Sequence, residues 1–266
     1  CPWAHRTQLF RRLKGLEDVI SITLSDIPRV TSWAYTEGIG RDLEPIDGKF
    51  ELHQAYISAV PDYSGRVTVP TLWDKKEWTL VNNESADIIR MLNTEFNEWG
   101  DASLDFYPED LRPEIDRINE IIYANVNNGV YRTGFAKSQE AYETGFNKLF
   151  NCLDDMDDLL GERRYLCGDR VTEADWRFYV TLVRFDAAYY GNFKCNRQHI
   201  YEYHNLSNYL RELYQTPGIA EITDIDGIKS GYYRIGAVNP SGIIPIGPGD
   251  LHLTDAHDRD KLPKAA

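Results

Sequence analysis

The sequence predicts two domains of different fold class: an α/β domain over residues 1–100 and an all-helical domain with an extended C-terminal tail over residues 101–266. Strand-like patterns occur in the first hundred residues, whereas helical periodicity dominates the remainder. The turn-forming residues 97–101 mark the change. A chain of 266 residues with 42% hydrophobic residues is long and apolar enough to form two cores.

The first predicted element is an amphipathic helix that begins directly after Cys1. Leucines recur at helical spacing within residues 4–16. Pro2 suits the first position of a helix, because the N–H group that proline lacks would have no partner there. The β-branched run at residues 19–24 then predicts a strand.

The rest of the α/β domain contains a long connection and a hairpin. Residues 25–66 show no periodic element, which is typical of a functional segment or of one ordered by short helices. Residues 67–73 predict a strand entered through a proline, residues 77–81 its hairpin partner, and residues 84–97 a helix. This order is the thioredoxin-like order without its first strand, which would precede Cys1 and is expected to be absent from this chain.

Three helices are predicted in the second domain. Apolar residues recur at helical spacing over residues 111–126 and 142–160. Thr172 and Asp175 are the two ends of a capping box that begins the third helix. That helix, residues 174–189, is apolar around nearly its whole circumference, so we expect it to be central and buried.

The predicted tail has an unusual composition. Residues 236–250 alternate glycines and prolines with isoleucines. Glycine and proline disfavour the interiors of helices and strands. We therefore expect an extended apolar segment that lies along the body of the helical domain.

Composition and charge exclude several classes of function. The net charge is −13, from 42 acidic and 29 basic residues, which argues against a nucleic-acid or anionic-membrane partner. No apolar run reaches the roughly 18 residues of a membrane span. The four cysteines lie far apart without metal-ligand spacing, so neither a metal site nor a disulfide framework is expected. A cytoplasmic location follows, with an organelle left open because a leader could have preceded Cys1.

The position of Cys1 indicates a nucleophilic thiol. The unpaired N–H groups and the dipole at the start of a helix favour a thiolate over a thiol. A thiolate can attack sulfur at neutral pH. The alternative is that Cys1 and Pro2 merely cap the helix.

Six segments carry distinctive motifs, from the Cys-Pro pair at residues 1–6 and the Thr-Val-Pro stretch within residues 64–70 to the Asn-Pro-Ser-Gly run that opens residues 239–248. These motifs resemble those of a cysteine-type glutathione transferase, and more narrowly those of the glutathionyl-hydroquinone reductases, the Xi class of that superfamily. The likeness runs over almost the whole chain. Members of that class have some tens of residues before the Cys-Pro pair, so the chain looks like a fragment or one whose leader is missing. The matching segments are residues 1–6, 64–70, 83–86, 126–131, 166–175 and 239–248.

The resemblance implies a glutathione transferase fold, glutathione as co-substrate and a homodimer. In such enzymes the cysteine attacks the sulfur of a glutathionyl-hydroquinone, releases the hydroquinone and remains as a mixed disulfide with glutathione. A second glutathione then displaces it as oxidised glutathione. Cys1 would be the catalytic residue, while Cys152, Cys167 and Cys195 are expected to be structural or inert.

The resemblance also implies a glutathione site. Val69 and a cis Pro70 would present backbone to the cysteinyl part of glutathione; without the resemblance, a trans proline at a strand start is the better interpretation. Glu84 and Ser85 would hold the γ-glutamyl end at a helix start, where simple helix capping is the alternative. Trp33, in the long connection, matches a tryptophan that lines this site.

A hydroquinone site is implied at three tyrosines, Tyr131, Tyr189 and Tyr232. Phenolic hydroxyls can hydrogen-bond a quinol oxygen while their rings stack on the substrate. Ordinary packing is the alternative in a chain with 17 tyrosines.

Two other functions compete with this interpretation. An Omega-like thioltransferase or dehydroascorbate reductase would use the same cysteine. A non-catalytic glutathione-transferase-like binding or scaffold protein would have no need of Cys1 or of the Glu84–Ser85 pair, and this chain has both.

Overall fold

The computed structural model describes residues 1–25, 32–35 and 50–263. The chain divides into two compact units. Cys1 and Trp3–Ala102 form the first unit, and Pro2 and Ser103–Ala266 form the second.

The first unit combines helices with two small antiparallel sheets. Tyr35, Leu52, Ala55 and Tyr56 form one of its buried clusters. Leu72 pairs with Asn82 across the hairpin, and a bulge follows Leu72. The elements in order are α1 (Pro2–Leu13), β1 (Ala34–Tyr35), β2 (Phe50–Glu51), α2 (Leu52–Ala59), β3 (Leu72–Asp74), β4 (Thr79–Asn82) and α3 (Ser85–Thr94).

The strand predicted at residues 67–73 forms only from Leu72 to Asp74. Pro70 has no N–H to donate to a ladder. The Tyr56 hydroxyl donates to Thr68 O at 2.9 Å and accepts the Thr68 N–H at 3.4 Å. A side chain thus satisfies the backbone groups that a neighbouring strand would otherwise bind.

The strand predicted at residues 19–24 is wrong. These residues have no strand partner within the described ranges, and Val19, Ile22 and Leu24 are 48%, 45% and 64% exposed. A β-branched run forms a strand only where a neighbouring strand completes its ladder and buries one face. The segment instead turns, with the N–H groups of Val19 and Ile20 both donating to Leu16 O.

The second unit is helical. The β-structure among its described residues is limited to an isolated bridge between Tyr165 and Gly168. Two helices end in π-helical turns, Tyr123–Asn127 after α4 and Phe185–Tyr189 after α7. No described helix is both long and apolar enough to cross a bilayer. The helices are α4 (Arg112–Ile122), α5 (Gly129–Gly134), α6 (Gln139–Glu162), α7 (Glu173–Arg184), α8 (Tyr190–Asn192), α9 (His204–Tyr214) and α10 (Ile225–Tyr233), with single 3₁₀ turns at Glu109–Leu111, Ile200–Glu202, Ala220–Ile222 and Arg259–Lys261.

Helix α7 is the buried central helix that its composition predicts, since all of its residues except Arg177 are buried. The predicted capping box is present, and Asp175 Oδ2 accepts the Thr172 N–H at 2.7 Å. Asp175 Oδ1 accepts the Leu166 N–H at 2.9 Å and the Tyr209 hydroxyl at 2.8 Å. Burial raises the pKa of Asp175, and these donors oppose that rise.

The tail agrees with its expectation in part. Residues 236–250 form no helix or strand, as predicted, and the buried Lys229 of α10 donates to Ile246 O at 2.8 Å, which holds the segment against the helical domain. The side chains of Ile243 and Ile246 are nevertheless 71% and 98% exposed, so they do not pack on that domain. The chain is held further on by Arg259, which is 1% exposed. Its guanidinium donates to the carbonyls of Leu160, Arg163 and Arg164, each at 2.6 Å, and so satisfies orphan carbonyls in and directly after the last turn of α6.

Asp175→Asn should destabilise the second unit by about 3 kcal/mol or more, because an amide nitrogen would face buried donors that the carboxylate now satisfies. The matched control is Asp158→Asn, at an exposed position of α6, which should change stability by less than about 0.5 kcal/mol. Urea unfolding followed by circular dichroism measures both. Equal stability of the two variants would show that the capping box does not hold α7.

Candidate active site

Cys1 stands alone among the four cysteines in its exposure. It is the N-cap residue of α1, and its carbonyl accepts the His5 N–H at 3.1 Å. Its Sγ lies 3.9 Å from Val69 O. Cys152, Cys167 and Cys195 are buried.

Burial also makes the other three thiols poor nucleophiles. It raises the pKa of Cys152 and of Cys167 to about 12, and that of Cys195 further. Near pH 7 these groups are protonated, and a protonated thiol does not attack sulfur. Thiol chemistry on the folded chain therefore falls to Cys1.

The segment beside Cys1 carries the Val69–Pro70 peptide bond, which is cis, as the resemblance implies. Tyr56 holds this segment in place, because its side chain, which is 2% exposed, hydrogen-bonds the backbone of Thr68. The same hydroxyl accepts the Asn83 side-chain amide at 3.0 Å. The Tyr56 hydroxyl thus links Thr68, which precedes the predicted Val69–Pro70 pair, to Asn83, which precedes the predicted Glu84–Ser85 pair.

Glu84 and Ser85 lie at the start of α3. Glu84 is exposed and is the N-cap residue, and its Oε1 accepts the Ala86 N–H at 3.0 Å. Ser85 is 2% exposed and its hydroxyl donates to the same carboxylate at 3.3 Å. The capping interpretation is therefore correct for Glu84 but not for Ser85, and the exposed Glu84 carboxylate remains able to bind an ammonium group as well.

Arg6 is a residue of this region that the sequence interpretation missed. It is 1% exposed, and its Nη1 donates to Ser85 Oγ at 3.3 Å. The signal was available, because Arg6 lies three and four residues before the buried Leu9 and Phe10 and so shares their helix face. A charged residue on a buried face has a specific partner.

Trp33 immediately precedes β1. It is half-buried, packs against the cluster around Tyr56, and its carbonyl accepts the Leu52 N–H at 2.9 Å. Within the first unit, Cys1 thus lies beside Val69, and Tyr56 links the Val69–Pro70 segment to the segment that leads into Glu84 and Ser85. Trp33 packs against the same core.

The three predicted tyrosines meet in the second unit. Tyr232 Oη lies 2.5 Å from Tyr131 Oη and 2.7 Å from Tyr189 Oη. The ring of Phe193 lies 5.3–5.6 Å from all three rings. Tyr189 is fully buried and Tyr232 is 7% exposed, whereas Tyr131 is half-buried.

Local backbone and charge shape this cluster. Tyr189 ends one π-helical turn, and the other π-helical turn precedes the helix of Tyr131; such turns are frequent at functional sites.

Burial raises the pKa of all three phenols, which are therefore neutral near pH 7. The buried guanidinium of Arg184 opposes that rise at Tyr189 and Tyr232. Sequence reasoning missed Arg184, although a cation inside an apolar helix is a recognisable signal.

Comparison with known proteins identifies the family of this chain. Residues 1–95 match the sequence profile of the glutathione S-transferase N-terminal domain, and residues 139–212 that of the C-terminal domain. The chain is 48% identical over 263 residues to the glutathionyl-hydroquinone reductase YqjG of Escherichia coli, covering 98% of this chain and 80% of that protein. It is 47% identical to the glutathionyl-hydroquinone reductase PcpF of Sphingobium chlorophenolicum, covering 93% and 80%. The chain belongs to the Xi-class glutathione transferases, the glutathionyl-hydroquinone reductases.

Solved structures of this class share the fold. A Xi-class glutathione transferase from Natrialba magadii superposes with a TM-score of 0.92 at 47% identity, covering 100% of this chain and 83% of that one. A glutathione-bound structure of the Escherichia coli protein gives a TM-score of 0.91 at 47% identity, covering 98% and 85%. The predicted combination of a thioredoxin-like and an all-helical domain is thus confirmed for this Xi-class chain.

Alkylation of the native protein with iodoacetamide at pH 8 should modify Cys1 only, because the other thiols are buried and protonated at that pH. Intact-mass analysis and peptide mapping measure the site. As a control, native Cys1→Ser should gain no label, and unfolding it in guanidinium should expose all three remaining cysteines. A native adduct on Cys152, Cys167 or Cys195 would contradict the assignment.

Proposed function

We propose that this chain reduces glutathionyl-hydroquinones to hydroquinones with glutathione as the reductant, and that Cys1 performs the chemistry. The observation that carries the proposal is the placement of the one exposed cysteine at the start of α1, 3.9 Å from Val69 O. Relatives over nearly the full chain are named for this activity. The enzyme is therefore a glutathionyl-hydroquinone reductase.

The reaction has two sulfur-transfer steps. The Cys1 thiolate attacks the sulfur of the conjugate, a Cys1–glutathione disulfide forms, and the bond from sulfur to the ring carbon breaks. That carbon takes up a proton, which gives the hydroquinone. The thiolate of a second glutathione then attacks the mixed disulfide, oxidised glutathione leaves, and the Cys1 thiolate is restored.

The glutathione part of the substrate would bind in the first unit. The cysteinyl backbone would pair with Val69 beside cis Pro70. The γ-glutamyl ammonium would bind the exposed Glu84 carboxylate, and the γ-glutamyl carboxylate would bind the Ser85 hydroxyl at the start of α3. Trp33 would cover one side. These contacts would orient the sulfur for attack.

The hydroquinone part would bind at Tyr131, Tyr189 and Tyr232. Their hydroxyls bind one another, so a quinol oxygen could replace one of these contacts without leaving a phenol unpaired. The half-buried Tyr131 offers the accessible edge of the cluster. Neutral phenols can donate to the oxygen of the leaving ring.

Cys1→Ser should abolish hydroquinone release, because a serine hydroxyl is not ionised at neutral pH and does not attack sulfur. The assay incubates glutathionyl-menadiol with glutathione and follows release of the quinol. Binding of S-methylglutathione, which cannot react, serves as the control for an intact site and should be unchanged. Residual turnover in Cys1→Ser would rule out Cys1 as the nucleophile.

Tyr232→Phe should reduce kcat/KM for the hydroquinone reaction by about twofold to tenfold, because it removes a hydroxyl that makes two contacts and leaves the ring in place. Thiol transfer to a small disulfide needs no ring pocket and should barely change. Tyr142→Phe, which loses one hydrogen bond to Lys194 O outside the cluster, is the control. Parallel losses in both reactions would favour the thioltransferase alternative and make the tyrosines packing residues.

A further inference from the structure

A hydrogen-bonded chain joins α1 to the candidate γ-glutamyl site. It begins at the buried guanidinium of Arg6, which donates to Ser85 Oγ. It continues from Ser85 Oγ to Glu84 Oε1 at 3.3 Å. Both links lie within the first unit, and they run from a buried cation to an exposed carboxylate.

The direction of these bonds follows from the chemistry of the groups. A guanidinium can only donate and does not lose its proton in proteins. A serine hydroxyl has one proton to donate and two lone pairs to accept. Because Arg6 occupies a lone pair of Ser85 Oγ, the Ser85 proton cannot point at Arg6. It points instead toward Glu84 Oε1, which lies 3.3 Å away.

We infer that Arg6 is a positioning residue for glutathione recognition, which keeps the Ser85 proton on the side of Glu84, away from the guanidinium. When the γ-glutamyl end binds, Glu84 would take its ammonium group and the Ser85 proton would turn from Glu84 to its carboxylate. The inference rests on the proposed function, because it takes Ser85 to bind that carboxylate. A hydroxyl that is oriented before binding loses less freedom when the ligand arrives. At 1% exposure, Arg6 acts through Ser85 and not by contact with the ligand.

The charge of Arg6 acts in the same direction. A γ-glutamyl carboxylate bound to Ser85 would be separated from the Arg6 guanidinium only by the Ser85 hydroxyl. Salt screens a buried charge much less than an exposed one. Arg6 therefore favours an anion at Ser85 over a neutral group, which fits the γ-glutamyl carboxylate.

The test is a double-mutant cycle on Arg6 and Ser85. Binding of S-methylglutathione is measured by calorimetry for Arg6→Met, Ser85→Ala and the double variant. Each single change should weaken binding by about tenfold or more, as expected for loss of a charge-assisted hydrogen bond. The double variant should bind no more weakly than Ser85→Ala, because the effect of Arg6 passes through Ser85.

Two further variants separate positioning from a general structural role. Arg6→Lys keeps a charge and a donor, so it should recover part of the affinity. Arg11→Met is the matched control on α1, since Arg11 donates to the backbone carbonyls of Glu17 and Ile20 and not to the site. It should lower thermal stability without changing affinity. In turnover, Arg6→Met should raise KM for glutathione more than it lowers kcat.

Additive losses in the cycle would overturn the inference, as would full affinity in Arg6→Met or in Ser85→Ala. If Arg6→Met does not fold, the same cycle is run with Arg6→Lys. The loss of affinity that Arg6→Lys causes should vanish in the Ser85→Ala background. It would persist there if Arg6 acted by another route. Quinol release by the unchanged enzyme tests the proposed function separately. Coupling between Arg6 and Ser85 without quinol release would keep this inference and overturn the function.

Discussion

Two buried polar side chains, Tyr56 and Arg6, determine the candidate glutathione site of the first unit. Tyr56 binds Thr68 and Asn83, and Arg6 binds Ser85, so segments that lie between 12 and 79 residues apart are fixed to one another. A buried polar group that loses its partner costs about 1–3 kcal/mol. The pairing therefore holds the Val69–Pro70 segment and the start of α3 in place before any ligand binds.

The second unit uses a different arrangement. Its three tyrosines satisfy one another through Tyr232, and the ring of Phe193 packs against all three. A site of this kind is stable when empty because no hydroxyl is left unpaired. It can also accept a phenolic ligand, whose oxygen has the same donor and acceptor properties as the groups that it would replace.

Sequence patterns predicted most of the fold because they report local burial. The capping box at Thr172 and the all-round apolar character of α7 required no tertiary information. The strand at residues 19–24 could not be judged in that way, since a strand depends on a neighbour that local sequence does not specify. The start of β3 at Leu72 depends on Tyr56, whose hydroxyl replaces a strand partner at Thr68.

The candidate site was predictable in part. Cys1 could be recognised from its place before a helix, and Val69, Pro70, Glu84, Ser85 and the three tyrosines from motif resemblance. Arg6 and Arg184 lie on apolar helix faces, which signals their burial, but their partners and those of Tyr56 are set by contacts between elements that are distant in sequence. Their burial is unusual for polar residues, and only the folded chain reveals the partners that compensate for it.

The central claim is that Cys1 takes glutathione from the conjugate before a second glutathione is needed. Mixing the enzyme with glutathionyl-menadiol in the absence of free glutathione, in a stopped-flow instrument with parallel mass analysis, tests this directly. The account requires a burst of quinol equal to the enzyme concentration, with one glutathionyl group attached to Cys1. Quinol release that begins only after free glutathione is added, or an adduct on any other residue, would contradict it.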